Sequence, residues 1–259
     1  MISVTDTMVE SDSPRVLIII PAYNEAQSIP RVLDDLREHV PEADAVVVDD
    51  GSTDETASVA GRLGAAVLRL PCNLGVGGAM RTGYRYALEN GYGLAVQFDG
   101  DGQHRADQIR PLLALVIEDG VDLAIGSRLL GSGSYRFSRT RWIGSRLIAA
   151  IASLVARWRV TDPTSGFRAS SKQMIAFFAK YYPQTYLGDT VEAMVLAARH
   201  GMKVRETQTE MRQSARSSIG NIKGVFHTVC ICLAILVDCI ESKFPDYAQG
   251  PAPGKENPS

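Results

Sequence analysis

Short apolar runs alternate with amphipathic stretches through the first half of the chain. Residues 16–20 read Val-Leu-Ile-Ile-Ile, a shorter apolar run follows at residues 45–48, and a third run at 66–70 is apolar except for Arg69. Uninterrupted runs of this length are typical of strands that are covered on both faces. Between them, apolar residues recur at helical spacing, first in the stripe Ile29, Val32, Leu33, Leu36 and Val40. The pattern predicts an α/β domain with a mainly parallel central sheet flanked by helices.

Residues that favour helix starts mark the boundaries of these helices. Ser28 precedes the first stripe, and Ser52 with Glu55 fits a capping box that opens a second helix ending near Gly64. A glycine cluster that includes Gly78 opens a third helix, where backbone amides can receive a phosphate. Close helix packing explains the glycines equally well, so both interpretations stay open.

A fourth predicted strand, residues 94–98, leads directly into Asp99 and Asp101. Residues two apart in an extended segment point the same way, and the glycines at 100 and 102 let the backbone bend until both carboxylates face one ion. Hard oxygen ligands at an open site suit Mg²⁺ or Mn²⁺. The stretch therefore predicts a site for one of these cations, with a solvated Asp/Gly turn as the competing interpretation.

A calcium loop does not fit this stretch. Counted from Asp99, the sixth position is His104 where a calcium loop needs glycine, and the twelfth is Arg110 where it needs glutamate. His104 is interpreted as a turn residue close to the cation and not as one of its ligands.

Polar clusters follow three of the predicted strands, at residues 23–25, 49–50 and 99–101. Ligands of open α/β sheets bind at the carboxyl ends of the strands, where these clusters would converge. We therefore expect one ligand site at this edge of the sheet.

The composition indicates one large globular domain, since the 259 residues are 45% hydrophobic and 22% charged. A formal net charge of −2 argues against bulk attraction to nucleic acid. The four cysteines have neither a metal-ligand spacing nor a secreted disulfide framework, which predicts reduced thiols in the cytoplasm. Residues 1–15 lack the features of a signal peptide, and the longest uncharged run, 224–237, is shorter than the roughly 20 residues that span a bilayer.

One segment of the second half is both basic and apolar. No acid lies between Asp122 and Asp162, where the arginines are Arg128, Arg136, Arg139, Arg141, Arg146, Arg157 and Arg159. Within it, residues 141–158 predict a long helix with an apolar face and flanking arginines. Such a helix suits either the protein core or an anionic membrane surface. Residues 212–218 are basic and rich in hydroxyl groups, which suits binding of a phosphate.

The remaining segments complete the expected organisation. Residues 162–168 form a polar turn, a helix starts at Asp189, and residues 203–208 form a strand. We expect a disordered N-terminus at 1–14, one large α/β domain at 15–219, an apolar or amphipathic helix at 220–244 and a flexible tail at 245–259. The helix has three candidate roles: packing on the domain, pairing with a second subunit or small membrane protein, or lying in a membrane interface.

Three motifs taken together resemble inverting glycosyltransferases of family 2 with the GT-A fold. They are Pro-Ala-Tyr-Asn-Glu at 21–25, Val-Asp-Asp-Gly-Ser-Thr-Asp at 48–54 and Asp-Gly-Asp at 99–101. Within that family the chain looks most like dolichyl- or polyprenyl-phosphate sugar synthases. The residues that carry this second resemblance are Phe137, Arg141, Ser145, Arg146, Asp162, Ser165, Phe167, Arg168, Arg212 and Ser217.

The resemblance implies a Rossmann-like sheet and a role for each matching residue. The nucleotide would be held by Pro21, Tyr23, Glu25, Asp50, Gly78 and Asp99. The metal, Mg²⁺ or Mn²⁺, would be held by Asp99, Asp101 and Gln103. Arg128 would meet a phosphate of the donor or the acceptor. The acceptor phosphate would be received by Arg141, Ser145, Arg168, Arg212 and Ser217.

The function implied is transfer of a sugar from a UDP- or GDP-sugar to polyprenyl phosphate, at the cytoplasmic face of the membrane. A phosphate acceptor is already an anionic nucleophile and needs no general base. The first alternative is transfer to a saccharide hydroxyl, for which Asp189 is the candidate base. An acid favoured by the dipole at a helix start is the competing interpretation of Asp189. The second alternative is a nucleotide-sugar-binding partner without turnover.

Overall fold

A computed structural model of the chain describes residues 14–130, 139–156, 158–184 and 189–212. A seven-stranded sheet forms its centre, in the order β3-β2-β1-β4-β6-β5-β7. The strands are β1 (Val16–Ala22), β2 (Asp44–Asp49), β3 (Ala66–Arg69), β4 (Leu94–Gln97), β5 (Leu123–Ser127), β6 (Arg168–Ser171) and β7 (Val204–Gln208). The helices are α1 (Ile29–His39), α2 (Thr56–Arg62), α3 (Gly75–Glu89), α4 (Ile109–Ile117), α5 (Arg139–Ala156), α6 (Lys172–Tyr181) and α7 (Asp189–Arg199).

The sheet is parallel except at β6, which runs antiparallel to both β4 and β5. Its register places Arg168 opposite Gln97 of β4 and opposite Ile125 of β5. The mainly parallel α/β sheet predicted from the apolar runs is therefore confirmed. Strand β6 and helix α6 were not predicted. The strand was missed because Arg-Ala-Ser-Ser at 168–171 lacks the apolar pattern of a buried strand.

Both faces of the sheet are covered by hydrophobic clusters. Because successive side chains of a strand point to opposite faces, Leu17 and Ile19 enter one cluster while Ile18 and Ile20 enter the other. The first cluster includes residues of α3, α6 and α7, and the second includes residues of α1 and α4. Burial of each such aliphatic side chain contributes about 1.5–3 kcal/mol, so the two layers fix the sheet that carries the polar loops.

Two predicted helix caps are wrong in detail. Ser28 stands at the N-cap of α1, but its hydroxyl bonds Glu25 and not a helical amide. The expected capping box does not form, since α2 begins at Thr56, whose amide donates to Asp54 at 2.9 Å. The Ser52 hydroxyl instead accepts a hydrogen bond from the amide of Asn24, in the loop after β1. This contact between two loops takes the place of the local helix cap.

Several predicted segments lie outside the described residues. These are the N-terminal tail, apart from residue 14, together with the helix at 220–244 and the tail at 245–259. Among the helices that the structure does describe, none combines the length and the apolarity that crossing a membrane requires.

Candidate active site

A cavity of about 360 Å³ opens where β1, β2 and β4 end. Its lining residues are Pro21, Ala22, Tyr23, Glu25, Asp50, Val76, Ala79, Gln97, Asp99, Gly100, Asp101, Asp189 and Thr190. The structure thus brings together the polar clusters that the sequence placed after three separate strands. Five of the lining side chains are carboxylic acids, and none of the described lysines or arginines lines the cavity. This charge distribution favours a cation inside it.

The loops after β1 and β2 are tied to each other by Asn24. Its side-chain oxygen accepts from the amide of Thr53 at 2.9 Å and from the Thr53 hydroxyl at 3.2 Å. Its own amide donates to the hydroxyl of Ser52 at 3.0 Å. Asn24 adopts φ 56°, the only positive φ of a non-glycine residue in the described part of the chain. The tie holds Tyr23, which is 46% exposed, at the mouth of the cavity.

Asp50 joins the loop after β2 to the start of α3. Its two carboxylate oxygens accept from the amides of Leu74 at 2.7 Å and Gly75 at 2.9 Å. Burial raises the pKa of Asp50, and the neighbouring Asp49 carboxylate adds to the rise, while the two amides oppose it. The amides that a phosphate was expected to meet at this helix start are therefore already bonded to Asp50.

The glycine cluster of α3 is explained by close packing. Added to Gly78, a Cβ would lie 2.5 Å from the Cβ of Leu74. Added to Gly77, it would lie 2.3 Å from the carbonyl oxygen of Pro183. Gly78 does not line the cavity, whereas its neighbours Val76 and Ala79 do. The nucleotide-binding role of Gly78 itself stays a prediction.

Asp99 is oriented by residues around it. Its Oδ2 lies 2.9 Å from Nε2 of His104, a ring that is 2% exposed and stacks on Phe167 with 4.9 Å between centroids. Burial opposes ionisation of Asp99, but His104, Gln97 and Arg128 outweigh it and lower the pKa of the carboxyl. His104 therefore helps to hold Asp99 in place, and its interpretation as a residue near the cation and not a ligand stays a prediction.

Gln97 is a site residue that the sequence reasoning missed. It is buried in β4, lines the cavity and donates a hydrogen bond that helps to keep Asp99 ionised. The hydroxyl of Tyr182 reaches its side-chain oxygen at 3.5 Å. A glutamine inside an otherwise apolar strand was the signal available, because an uncompensated polar group there is costly.

The residues expected to hold a metal fit a hard divalent cation. Asp101 is exposed and accepts from the amide of Gln103 at 2.9 Å, and the side chain of Gln103 also bonds it. A Cβ on Gly166 would lie 3.0 Å from both oxygens of Asp99, so glycine keeps space open beside that carboxylate. Carboxylate oxygens suit Mg²⁺ or Mn²⁺. Within the described residues no group of three or more His, Cys, Asp or Glu forms a complete metal centre, so a bound ligand would supply further oxygens.

Arg128 and Asp162 form a buried ion pair beside this loop. Nε and Nη2 of Arg128 donate to the two oxygens of Asp162 at 2.6 and 2.7 Å, and the side chains are 9% and 0% exposed. Burial opposes ionisation of Asp162, but the arginine outweighs it and lowers the pKa of the acid. Arg128 does not line the cavity, although it is close enough to lower the pKa of Asp99. Its contact with a substrate phosphate stays a prediction.

Asp189 lies at the start of α7 and lines the cavity. It is 9% exposed, and its Oδ2 has no hydrogen-bond partner. Burial raises the pKa of Asp189 to about 6, Asp99 and Glu192 add to the rise, and Arg168 opposes it. A carboxyl with this pKa exchanges a proton near neutral pH, which is the property that a general base needs.

Among the residues expected to receive the acceptor phosphate, the three whose side chains the structure describes, Ser145, Arg168 and Arg212, do not line the cavity. Arg168 is fully buried and donates from Nε to the carbonyl of Ser165 at 2.8 Å and from Nη2 to that of Pro163 at 3.1 Å. Ser145 is 8% exposed in α5, and Arg212 pairs with Asp35. The side chain of Arg141 and all of Ser217 lie outside the described residues. Their acceptor roles stay predictions.

Residues 17–177 match the protein family described as Glycosyl transferase family 2. An undecaprenyl-phosphate mannosyltransferase of Micrococcus luteus is 41% identical over 165 residues, which cover 60% of this chain and 65% of the relative. A UDP-N-acetylglucosamine–dolichyl-phosphate N-acetylglucosaminyltransferase of Methanococcus voltae is 30% identical over 209 residues, which cover 74% of this chain and 83% of the relative.

A similar fold occurs in a crystal structure of glucosyl-3-phosphoglycerate synthase from Mycobacterium tuberculosis in complex with Mn²⁺, UDP and glucosyl-3-phosphoglycerate. The TM-score is 0.66 at 20% sequence identity, and the match covers 87% of this chain and 80% of that chain. This likeness confirms the GT-A fold that the three sequence motifs implied.

Proposed function

The chain belongs to glycosyl transferase family 2, and from that premise we propose that it moves a sugar from a nucleotide sugar to a polyprenyl phosphate with inversion at the anomeric carbon. The observation that carries the proposal is the cavity in which Asp99 and Asp101 face the loops after β1 and β2. The names of the two relatives, which act on undecaprenyl phosphate and dolichyl phosphate, support the acceptor class.

The donor half of the reaction belongs to the cavity. Pro21, Tyr23, Glu25 and Asp50 line the cavity and would hold the base and ribose of UDP or GDP. A diphosphate is itself anionic, so it enters a space lined by five carboxylates only together with cations. Asp99 and Asp101, with Gln103, would hold Mg²⁺ or Mn²⁺ at this point.

When bound, the cation would offset the charge that develops on the departing nucleoside diphosphate. The chain itself supplies the alignment of its ligands. His104 and Gln97 hold Asp99 ionised, and Gln103 holds Asp101. Arg128, fixed by Asp162, adds a positive charge close to Asp99 and would attract a substrate phosphate.

The acceptor half of the reaction is assigned to arginines and hydroxyls. A phosphate monoester carries its own negative charge, so Asp189 would not have to remove a proton from it. Arg141, Ser145, Arg168, Arg212 and Ser217 remain the residues proposed to position it. A polyprenyl chain resides in a bilayer, and we place the enzyme at the surface of the membrane on its cytoplasmic face.

A second candidate is transfer to a saccharide hydroxyl. It is favoured by the position of Asp189 on the cavity wall, by its unpaired Oδ2 and by its pKa of about 6. A binding partner without turnover is the third candidate. The assembled Asp99 and Asp101 pair argues against it, and metal-dependent nucleotide binding without product would support it.

The deciding experiment is transfer of radiolabel from a panel of UDP- and GDP-sugars to a short polyprenyl phosphate, with Mg²⁺ or Mn²⁺ present. Label is scored in the organic phase. Lipid-extractable label that disappears with EDTA is the expected result and identifies the donor. Donor binding without such label overturns the lipid-phosphate proposal in favour of a hydroxyl acceptor or a silent binding partner.

A further inference from the structure

Asp35 is a charged residue on the buried face of α1. It is 9% exposed and lies among Val32, Leu33 and Leu36, which are all buried. An isolated carboxylate in such a place is strongly unfavourable, so its partners are part of the reason for its position. The cavity lining does not include Asp35.

The main partner of Asp35 is Arg212, which lies 177 residues away in the sequence. Nη1 of Arg212 donates to Oδ2 at 3.0 Å and Nη2 donates to Oδ1 at 2.9 Å, so the pair is bidentate. Oδ2 of Asp35 also accepts from the amide of Ala106 at 3.0 Å. Burial opposes ionisation of Asp35, but Arg212 and this amide outweigh it and lower the pKa of the acid.

Arg212 is bonded at the same time to the loop that carries the proposed metal ligands. Its amide donates to the carbonyl of Gln103 at 2.8 Å, and its Nη1 donates to the carbonyl of His104 at 3.0 Å. One turn before Asp35 on α1, Arg31 donates to the carbonyl of Gly102 at 2.7 Å. The loop from Asp99 to Ala106 is thus held along its length by α1 and by the segment after β7.

We propose that Asp35 and Arg212 are positioning residues that keep this loop in the shape required to bind a divalent cation. The pair, which we call the loop clasp, fixes the backbone at 103–106 while the strand end fixes Asp99. Asp101 lies between these two fixed points, and Gln103 belongs to the second of them, since its carbonyl accepts from Arg212. The inference rests on the proposed function, from which it takes the metal ligands, and it gives Arg212 a role that needs no acceptor.

The test measures Mn²⁺ binding by the full chain without nucleotide or acceptor. Binding is monitored as the loss of the free-Mn²⁺ signal in electron paramagnetic resonance. Asp35→Asn and Arg212→Gln should each weaken Mn²⁺ binding by about 10- to 100-fold, the usual effect of losing a residue that orients metal ligands. The double variant should be no weaker than the poorer single variant, because both changes release the same loop.

Two matched controls are available in the same elements. Asp34→Asn removes the neighbouring carboxylate of α1, which is exposed and pairs with Arg37. Arg205→Gln removes an exposed arginine of β7 that pairs with Asp119. Both should leave Mn²⁺ binding unchanged. Amide hydrogen exchange at 103–106 should quicken in the clasp variants only, while exchange in β1 stays slow.

Arg212→Lys keeps the positive charge but cannot form the bidentate pair with Asp35. It therefore tests the loop clasp in a variant that is less disturbed than Arg212→Gln. It should weaken Mn²⁺ binding by an intermediate factor. Unchanged binding in Asp35→Asn, an equal loss in Asp34→Asn, or additive losses in the double variant each overturn the inference. If the unsubstituted chain binds no Mn²⁺, both the inference and the metal assignment fail. The lipid-phosphate proposal is tested separately, because its failure would be seen only in the radiolabel transfer assay.

Discussion

Asp189 is the side chain whose role separates the two candidate reactions. Transfer to a phosphate does not use its carboxylate, so Asp189→Asn should keep turnover within about tenfold of the unsubstituted enzyme. Transfer to a hydroxyl would lose about 10²–10⁴-fold, the usual contribution of a general base. Initial rates of label transfer distinguish the two outcomes. Glu192→Gln, a buried acid on the same helix outside the cavity lining, is the control for a general disturbance of α7.

The raised pKa of Asp189 also predicts a stability effect. Its pKa is about 6 in the folded chain and about 3.9 in an unfolded one, so the folded state binds the proton more tightly. Unfolding free energy is therefore lost as the pH rises from about 4 through about 6, and Asp189→Asn does not suffer this loss. Between pH 4 and pH 7.5 the unfolding free energy of the Asp189→Asn variant should rise by up to about 3 kcal/mol relative to that of the unsubstituted chain. Urea unfolding in EDTA measures it, and parallel pH profiles would contradict it.

Asn24 combines a strained backbone with bonds that join the loops after β1 and β2. Asn24→Ala should lower the unfolding free energy by about 2–4 kcal/mol, because it loses the amide oxygen and forces alanine to φ 56°. Asn24→Gly should cost less, since glycine adopts that φ freely. Both should weaken binding of the donor nucleotide, measured by calorimetry. Equal losses of stability in the two variants would show that backbone strain plays no part.

Helix α3 depends on close contact with the segment that leads to Asp189. A Cβ at Gly77 would meet the carbonyl of Pro183 at 2.3 Å and the Cβ of Asp189 at 3.3 Å. Gly77→Ala should therefore lower the unfolding free energy by about 1–3 kcal/mol and weaken donor binding, because Asp189 must shift. Gly61→Ala in α2 is the matched control, since nothing lies within 4 Å of its added Cβ. It should be neutral or stabilising by up to about 1 kcal/mol, and equal losses in both variants would refute the packing explanation.

The elements that could be predicted from the sequence are those whose burial leaves a local signal. Strands β1 and β4 are apolar runs, and α1 has an apolar stripe, so their positions follow from periodicity. Strand β6 is instead defined by its pairing with β4 and β5, where Arg168 lies opposite Gln97 and Ile125. No window of sequence contains that information, which explains why residues 162–168 were interpreted as a turn alone.

The same distinction holds for the site of the whole molecule. Four of the five carboxylates of the cavity were predictable because they follow strand ends, and parallel strands bring their ends to one edge, whereas Asp189 starts α7. Gln97 left a signal, a polar residue in an apolar strand, that the sequence reasoning did not use. The contacts of the Arg128 and Asp162 pair and of the loop clasp were not predictable, since the partners come together only in the folded chain. The residues proposed to bind the donor were thus visible in the sequence, while most of the contacts that orient them were not.

The charge of the cavity predicts that a bound divalent cation raises the stability of the whole molecule. The chain carries a formal net charge of only −2, yet five carboxylates line one space of about 360 Å³. A cation that binds only the folded state should raise the unfolding free energy by about 2.7 kcal/mol at a hundred times its dissociation constant.

Asp101→Ala should unfold like the unsubstituted chain in EDTA, because Asp101 is exposed and contributes little to the core. It should lose both the Mn²⁺-dependent rise in melting temperature and sugar transfer. Full transfer activity in Asp101→Ala would refute the metal assignment, whereas a low melting temperature in EDTA would show that the loop, and not the cation, depends on this residue.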